Sequence, residues 1–176
     1  MAKSSDKARP QPTAYRPCVG IMVLNAEGKV WVGRRLDAPG DAEGRGSWWQ
    51  MPQGGIDADE PAEAAALREL EEETGLTDVA VLGGTDDWVK YDLPEELIGV
   101  VWKGRFRGQK QKWFAVRYLG ADADITLVPP EGSDHSQEFD DWRWIDIDDL
   151  VDAVVPFKRG VYAEVIAQLR IYAVPA

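Results

Sequence analysis

A glutamate-rich segment near the middle of the chain constrains the fold more than any other feature. The run EPAEAAALRELEEETG begins at Glu60 and is rich in alanine, the residue that most favours helices. Pro61 suits a first helical turn, Asp59 or Glu60 can cap the amino end, and Gly75 can end the helix. The sequence therefore predicts an α-helix over residues 61–74.

Three glutamates share one face of this helix. Because a helix turns by about 100° per residue, Glu69, Glu72 and Glu73 fall within an arc of about 100°, whereas Glu71 points the opposite way. Like charges at this spacing repel one another and destabilise a helix. A divalent cation is the natural counter-charge, since carboxylate oxygens are hard ligands for Mg²⁺ or Mn²⁺. The alternative is an acidic face that is merely solvated.

The residues that flank the helix favour the cation. Gly54 is followed by five residues and Glu60, then by seven residues and the run RELEEETGL at positions 68–76. This spacing agrees without a gap with the Nudix box, G-x5-E-x7-R-E-U-x-E-E-x-G-U, in which U is aliphatic. Nine specified positions within 23 residues make chance agreement very improbable. The chain therefore resembles the Nudix hydrolases.

The resemblance implies an α/β Nudix fold, an α/β/α sandwich with a mixed central sheet and a catalytic loop-helix-loop that binds Mg²⁺ or Mn²⁺. Glu69, Glu72 and Glu73 are then the expected metal ligands, and Glu72, Glu73 and Arg68 are expected in the catalytic group. Arg68 would orient a carboxylate, although an ordinary surface ion pair is its alternative role. Glu60 would fix the loop. A zinc site is disfavoured, because the chain has one histidine and one cysteine.

Glu138 lies far from the helix in the sequence, and the resemblance implies that it reaches the metal site from a loop. There it would act as an additional metal ligand or as the general base. The alternative is a solvated loop acid, because residues 119–152 contain eleven acidic residues and one arginine.

Further blocks of sequence resemble one Nudix subgroup, the bacterial RNA pyrophosphohydrolases and dinucleoside polyphosphate hydrolases. Five such blocks follow one another in the expected order, at residues 15–21, 49–56, 108–114, 138–144 and 156–162. The expected substrate is therefore a nucleoside polyphosphate or the 5′ end of an RNA. Hydrolysis would convert a 5′-triphosphate or diphosphate RNA end to a monophosphate, or diadenosine tetraphosphate to ATP and AMP. A non-catalytic Nudix sensor and a housecleaning nucleoside triphosphate pyrophosphatase are the alternatives.

The same resemblance suggests which residues bind the substrate. Arg16 matches a phosphate contact, and Lys158 lies in the last matching block. The local charge of residues 97–121, which have six basic residues and no acidic one, makes Lys112 the best candidate for a phosphate clamp. Alternation along Gln109–Trp113 places Lys110 and Lys112 on one side of a strand, where guarding a sheet edge is their alternative role. The side chains expected to sandwich a base, a contact that tolerates many sequences, are Arg35, Tyr91 and Phe157.

The chain has 176 residues, which favours one domain: a flexible tail over residues 1–13 and a Nudix domain over 14–176. Its net charge of −11 argues against duplex DNA as a partner. Residues 97–121 nevertheless carry six basic residues and no acidic one, which permits contact with one short phosphate-bearing end. No stretch approaches the ~18 apolar residues of a membrane span, and Cys18 is the only cysteine, so we expect a cytoplasmic protein. A monomer is the expected oligomeric state.

Periodicity and turn residues predict the other elements. A hairpin is expected to turn at Asn25–Gly28, followed by a Gly-rich exposed loop over residues 37–47. Most of the eight tryptophans are expected in the core, with Trp142 and Trp144 directed inward. The predicted strands cover residues 19–24, 30–32, 79–82, 88–91, 113–119 and 142–147, and a second amphipathic helix covers residues 158–171.

Overall fold

The computed structural model describes residues 10–36 and 47–176 of the chain. Residues 1–9 of the predicted tail and residues 37–46 of the predicted Gly-rich loop lie outside the described residues. The described chain forms eight strands and three α-helices. In chain order these are β1 Tyr15–Leu24, β2 Val30–Arg35, β3 Trp49–Gln50, β4 Gln53–Gly55, α1 Ala62–Thr74, β5 Val79–Gly84, β6 Val89–Asp92, β7 Gly108–Tyr118, β8 Phe139–Ile145, α2 Leu150–Ala153 and α3 Arg159–Leu169.

The strands form one mixed sheet in the order β3-β2-β1-β7-β5, with β4 paired to β1, β6 paired to β7 and β8 paired to β2. The β1 and β7 strands run parallel along ten registered pairs, from Tyr15↔Gly108 to Leu24↔Arg117, and the other pairings are antiparallel. The predicted hairpin is present, since β1 and β2 pair at Leu24↔Val30. Asn25 Oδ1 accepts hydrogen bonds from the Glu27 and Lys29 amides and holds its turn.

Apolar layers cover both faces of the sheet. Along β1, Met22 and Leu24 pack with α3, whereas Ile21 and Val23 pack with α1 on the opposite face. A strand that is buried on both faces reads as an unbroken apolar run, which the sequence IMVL shows. The structure is therefore an α/β/α sandwich, as the sequence predicts.

The ends of several elements differ from the predictions. Strand β7 begins at Gly108 rather than Trp113, because its polar first residues pair with β1 and β6 inside the sheet. Hydrophobic patterning cannot detect such a polar strand. The short helix α2 was not predicted, and α3 is shorter than residues 158–171.

The expected cap of α1 is wrong. Pro61 is the capping residue and makes no side-chain cap hydrogen bond, while Asp59 adopts a left-handed φ of 60°. The Glu60 carboxylate bonds Arg68 instead. Gly75 ends the helix as predicted, with a φ of 71° and its amide donating to the Glu71 carbonyl at 2.8 Å.

Two of the eight tryptophans are fully buried and the other six are partly buried, so fewer lie in the core than the sequence predicts. Trp31 and Trp113 are fully buried. Trp142 and Trp144 are partly buried against the α1-side core, and the Trp142 ring stacks on Trp31 with centroids 6.5 Å apart. In the parts of the chain that the structure describes, no helix combines the length and the apolar character needed to cross a membrane.

Candidate active site

The loop-helix-loop begins where β4 joins the edge of β1. Gly54 and Gly55 pair with Val19 and Cys18, and the chain then turns through residues 56–61 into α1. A side chain at position 54 would overlap the Glu69 carboxylate, so only glycine lets the β4 backbone lie against that group. A Cβ at position 55 would come within 2.9 Å of Arg16 Nη2. Both glycines thus make room for charged side chains.

Arg68 connects the loop to the helix. Its Nε and Nη2 atoms each donate to the Glu60 carboxylate at 2.8 Å, and Nη2 also donates to the Gly55 carbonyl at 3.0 Å. Its Nη1 atom donates to Glu69 Oε1 at 2.9 Å and to Glu72 Oε2 at 3.3 Å. Hydrogen bonds from the Arg68 side chain and from the Asp57 amide lower the pKa of Glu60 to about 2. A single guanidinium therefore orients two of the predicted metal ligands and fixes the loop.

The four carboxylates predicted for the metal meet on one side of the molecule. Glu69, Glu73 and Glu138 line one cavity, and all four carboxylates line an adjoining smaller one. Burial is the main cause that raises the pKa of Glu69. Burial also raises the pKa of Glu73 well above its usual value, with the nearby charges of Glu138 and Glu69 as the next causes. The fold thus holds together carboxylates that repel one another.

The donor set fits a hard divalent cation, because it offers carboxylate oxygens and no thiolate, and because a cation would relieve that repulsion. Among the described residues, no three His, Cys, Asp or Glu side chains are already arranged as a metal-binding group. Arg68 Nη1 lies between Glu69 and Glu72 and bonds both. These residues therefore fit the ion by chemistry and charge, and those two carboxylates would have to turn from Arg68 to hold it.

His135 is a site residue that the sequence analysis missed. Its Nε2 atom lies 3.3 Å from Glu72 Oε1, although the two residues are far apart in the sequence. It lines the smaller cavity together with Asp134 and Ser136. A lone histidine in an irregular segment carries no spacing signal, so only the tertiary path of the loop before β8 brings it to α1.

Five of the six predicted substrate-binding residues line the larger cavity, which has a volume of about 560 Å³. The Tyr91 and Phe157 rings lie in contact there, with centroids 5.9 Å apart. Two cationic side chains are held by polar partners. Arg35 Nη1 lies 3.4 Å from Glu138 Oε1, and the buried Lys158 Nζ lies 3.4 Å from Gln50 Oε1. The five residues are Arg16, Arg35, Tyr91, Phe157 and Lys158.

Lys112 is the exception, and its predicted role as a phosphate clamp does not agree with the structure. The alternation along β7 buries Gln109 and Gln111 and directs Lys112 to the other face of the sheet. There its Nζ atom donates to the Asp86 carbonyl at 2.7 Å and lies 5.6 Å from the Trp88 ring centre. Strand β7 is an interior strand, paired with β1 on one side and with β5 and β6 on the other, and Lys112 lies between the stretches that pair with β5 and with β6.

Trp102 is a second residue that the sequence analysis missed. It lines the larger cavity from a short 3₁₀ segment between β6 and β7, and its ring lies 5.6 Å from the guanidinium carbon of Arg16. That segment has neither helical nor strand periodicity, so the pattern of the sequence does not indicate which way the ring points.

The fold and the acidic loop-helix-loop define a class of protein, and comparison with known protein families identifies the same class. Residues 14–165 match the model of the NUDIX domain family, so this chain belongs to the Nudix family. The family that the sequence resembles and the predicted α/β fold are both confirmed.

Two RNA pyrophosphohydrolases are similar to this chain over most of its length. The chain is 53% identical over 162 residues to an RNA pyrophosphohydrolase of Brucella ovis, an alignment that covers 92% of this chain and 90% of that protein. It is 50% identical over 171 residues to an RNA pyrophosphohydrolase of Brucella anthropi, with 97% and 98% covered.

Solved structures share the fold at low identity. The Ap4A hydrolase of C. elegans, in a binary complex, has a TM-score of 0.61 at 16% identity, with 89% of this chain and 98% of that chain covered. The MutT protein of Methanosarcina mazei has a TM-score of 0.58 at 19% identity, with 91% and 97% covered. At such identities the likeness supports the fold alone.

Proposed function

We propose that this protein is an RNA 5′-pyrophosphohydrolase, which converts 5′-triphosphate or diphosphate RNA ends to 5′-monophosphate ends. One observation carries the proposal: the carboxylates on and around α1 open into the same cavity as three cationic side chains and an aromatic pair. A polyphosphate joined to a nucleoside needs these three kinds of group. The names of the Brucella relatives, which share about half of their residues with this chain, support the same activity.

The three cationic side chains of the cavity, Arg16, Arg35 and Lys158, bind the polyphosphate. Arg16 and Arg35 offer planar guanidinium groups, which match phosphate oxygens in two-point contacts. For Arg35 this replaces the base contact expected from the sequence, because its Nη1 atom lies 3.4 Å from Glu138 Oε1, among the carboxylates. Lys158 offers a point charge that is buried and therefore weakly screened. The Tyr91 and Phe157 rings, on β6 and just before α3, take the base by stacking.

The carboxylates perform the chemistry. Mg²⁺ or Mn²⁺, held by Glu69, Glu72 and Glu73, would neutralise phosphate charge and lower the pKa of an attacking water. Arg68 holds the loop to α1 through its bonds to Glu60 and Gly55, and it bonds Glu69 and Glu72 until an ion takes its place. We assign to Glu138, which contacts Arg35 and stands outside α1, the acceptance of the proton that this water loses. The water oxygen bonds to phosphorus, the P–O anhydride bond breaks, and phosphate or pyrophosphate leaves.

The arrangement of charge favours a single-stranded end over a duplex. The cations in the cavity surround one site, and the chain as a whole is acidic, with a net charge of −11. A duplex-binding surface would need a long basic track. We propose that the protein acts as a monomer on one RNA end at a time.

The deciding experiment compares three substrates side by side, with Mg²⁺ or with Mn²⁺: triphosphorylated RNA, diphosphorylated RNA and diadenosine tetraphosphate. We expect RNA with a 5′-monophosphate as the product, resolved by chromatography of end-labelled substrate. Hydrolysis of diadenosine tetraphosphate alone would contradict the RNA assignment and favour a dinucleoside polyphosphate hydrolase. Binding without turnover in either metal would indicate a sensor.

A further inference from the structure

The segment between β6 and β7, residues 93–107, carries an aromatic side chain that the proposed reaction does not use. Val101 is buried and anchors the segment, and Trp102 next to it lines the cavity. Trp102 and Lys103 both adopt left-handed backbone angles, with φ of 51° and 57°. Bulky residues rarely adopt this conformation, which is found where surrounding structure enforces it, often at ligand clamps.

Contacts on two sides hold the Trp102 ring while leaving it partly exposed. The Arg16 guanidinium carbon lies 5.6 Å from its centre. The Phe106 ring meets it edge-on, with centroids 6.4 Å apart and planes at 69°. The ring is thus a fixed aromatic surface at the cavity rather than a core side chain.

The register of the sheet separates this surface from the first aromatic pair. Arg16 on β1 is registered with Gln109 on β7, which is registered in turn with Tyr91 on β6. Registered neighbours project from the same face of a sheet, and adjacent strands are about 4.8 Å apart, so Arg16 and Tyr91 are about 10 Å apart at the backbone. All three residues line the cavity. Trp102, which contacts Arg16, therefore forms a second aromatic wall beyond the buried Gln109.

We propose that Trp102 is a second base-stacking platform, which takes another unpaired base of the RNA end whose neighbouring base lies against Tyr91 and Phe157. This inference rests on the proposed function and adds that the preferred substrate has at least two nucleotides. Unpaired RNA bases splay apart and stack on separate aromatic side chains, and such stacking tolerates every base.

The charge around Trp102 favours an RNA strand over a dinucleoside polyphosphate. Lys103 follows it directly, Arg105 lies two residues further on, and both side chains are exposed. A strand continues past its second base through phosphodiester groups, which these cations can meet. In diadenosine tetraphosphate all the phosphates lie between the two nucleosides, so none would reach this part of the segment.

The test measures equilibrium binding with methylene-bridged triphosphate analogues, which cannot be hydrolysed, in the presence of Mg²⁺. One analogue is a single nucleotide and the other a dinucleotide. We expect Trp102→Ala to raise the dinucleotide Kd by about tenfold and the mononucleotide Kd by less than about twofold. Trp102→Phe, which keeps an aromatic face, should restore most of the dinucleotide affinity. Trp88→Ala is the matched control, because Trp88 lies beneath Lys110 and Lys112 outside the cavity lining.

Two results would overturn the proposal that Trp102 is a base-stacking platform. An equal rise in both Kd values would mean that Trp102 acts only by positioning Arg16, and no rise in either would mean that the ring is not used. A loss of affinity for a methylene-bridged diadenosine tetraphosphate with an unchanged dinucleotide Kd would overturn the choice of RNA. Because binding is read without turnover, an inactive protein that still shows the Trp102 effect would contradict the proposed function alone.

Discussion

The two walls of the cavity are built in different ways. The acidic wall comes almost entirely from one continuous segment, residues 54–76, which carries eight acidic residues and one arginine. The cationic and aromatic wall is gathered from β1, β2, β6 and the short segment before α3. Helical spacing fixes the first wall locally, whereas strand register fixes the second. The first is therefore tolerant of changes elsewhere, and the second depends on the whole sheet.

The largest expected effect tests the acidic wall. Glu73→Gln keeps the side-chain shape but removes a charge, and we expect kcat to fall by about 10³-fold, because the metal and the proton-accepting groups depend on this cluster. The thermal midpoint should stay the same or rise, since the substitution relieves the repulsion from Glu138 and Glu69. Steady-state kinetics and calorimetry measure the two quantities.

Glu71→Gln is the matched control for that change, because Glu71 is exposed on the opposite face of the same helix. It should leave kcat within about twofold of the wild type. A Glu73→Gln protein with an unchanged rate would remove Glu73 from the metal site.

Arg68 ties the acidic wall to its loop, so its loss should affect both activity and stability. Arg68→Lys keeps the charge but cannot bond Glu60 at two points and reach Glu69 and Glu72 as well. We expect kcat to fall by about 10- to 100-fold and stability to fall by about 1–3 kcal/mol, as for other charged hydrogen bonds. Urea unfolding and initial rates at saturating Mg²⁺ check these values.

The surface pair of Arg170 with Asp148 provides the comparison, since its side chains are 51% and 75% exposed. Arg170→Lys should change stability by less than about 0.5 kcal/mol and leave the rate unaltered. If both variants behaved alike, the Arg68 contacts would be an ordinary surface network.

Two substitutions, one on the cationic and aromatic wall and one on the opposite face of β7, compare the roles of these two surfaces in binding. Arg16→Ala should raise KM by about tenfold, because it removes a cation that lines the cavity. Lys112→Ala should change KM by less than about twofold, because Lys112 Nζ bonds Asp86 on the opposite face. A rise in KM for Lys112→Ala equal to that for Arg16→Ala would reinstate the phosphate clamp that the sequence predicts.

These contrasts show how far the sequence can predict the site. Glu69, Glu72 and Glu73 could be placed together because their spacing is a property of one helix. Arg16 and Phe157 could be named only by resemblance to a family, since no local pattern connects them. Lys112 was misplaced because alternation shows which residues share a face but not which face meets the cavity.

Other features of the structure could not be predicted from the sequence, for a different reason. His135 and Trp102 lie on irregular segments, where no helical or strand periodicity indicates the direction of a side chain. The start of β7 was missed because its glutamines and lysines are polar, and only pairing with β1 and β6 makes them a strand. Sequence patterns thus predict what one element determines, and they miss what depends on contact between elements.

The smallest expected effect concerns the pH at which the loop of the acidic wall loosens. Arg68 lowers the folded-state pKa of Glu60 to about 2 from an ordinary value of 4.5. A depressed pKa stabilises the fold above the unfolded-state value, so this contribution is complete near pH 5 and is lost as the pH falls towards 2. Urea unfolding at pH 5, 4 and 3 should show a steady decrease in the free energy of unfolding.

In Glu60→Gln that decrease should be smaller, starting from a lower stability at pH 5. It should not vanish, because Arg107 and Tyr15 also lower the pKa of Asp92. Glu63→Gln, an exposed change in the first turn of α1, should keep the wild-type slope. An identical slope in Glu60→Gln would mean that the loop and helix are held through Gly55 and the sheet rather than through the Glu60–Arg68 pair. The acidic wall would then depend on strand register as much as the cationic wall does.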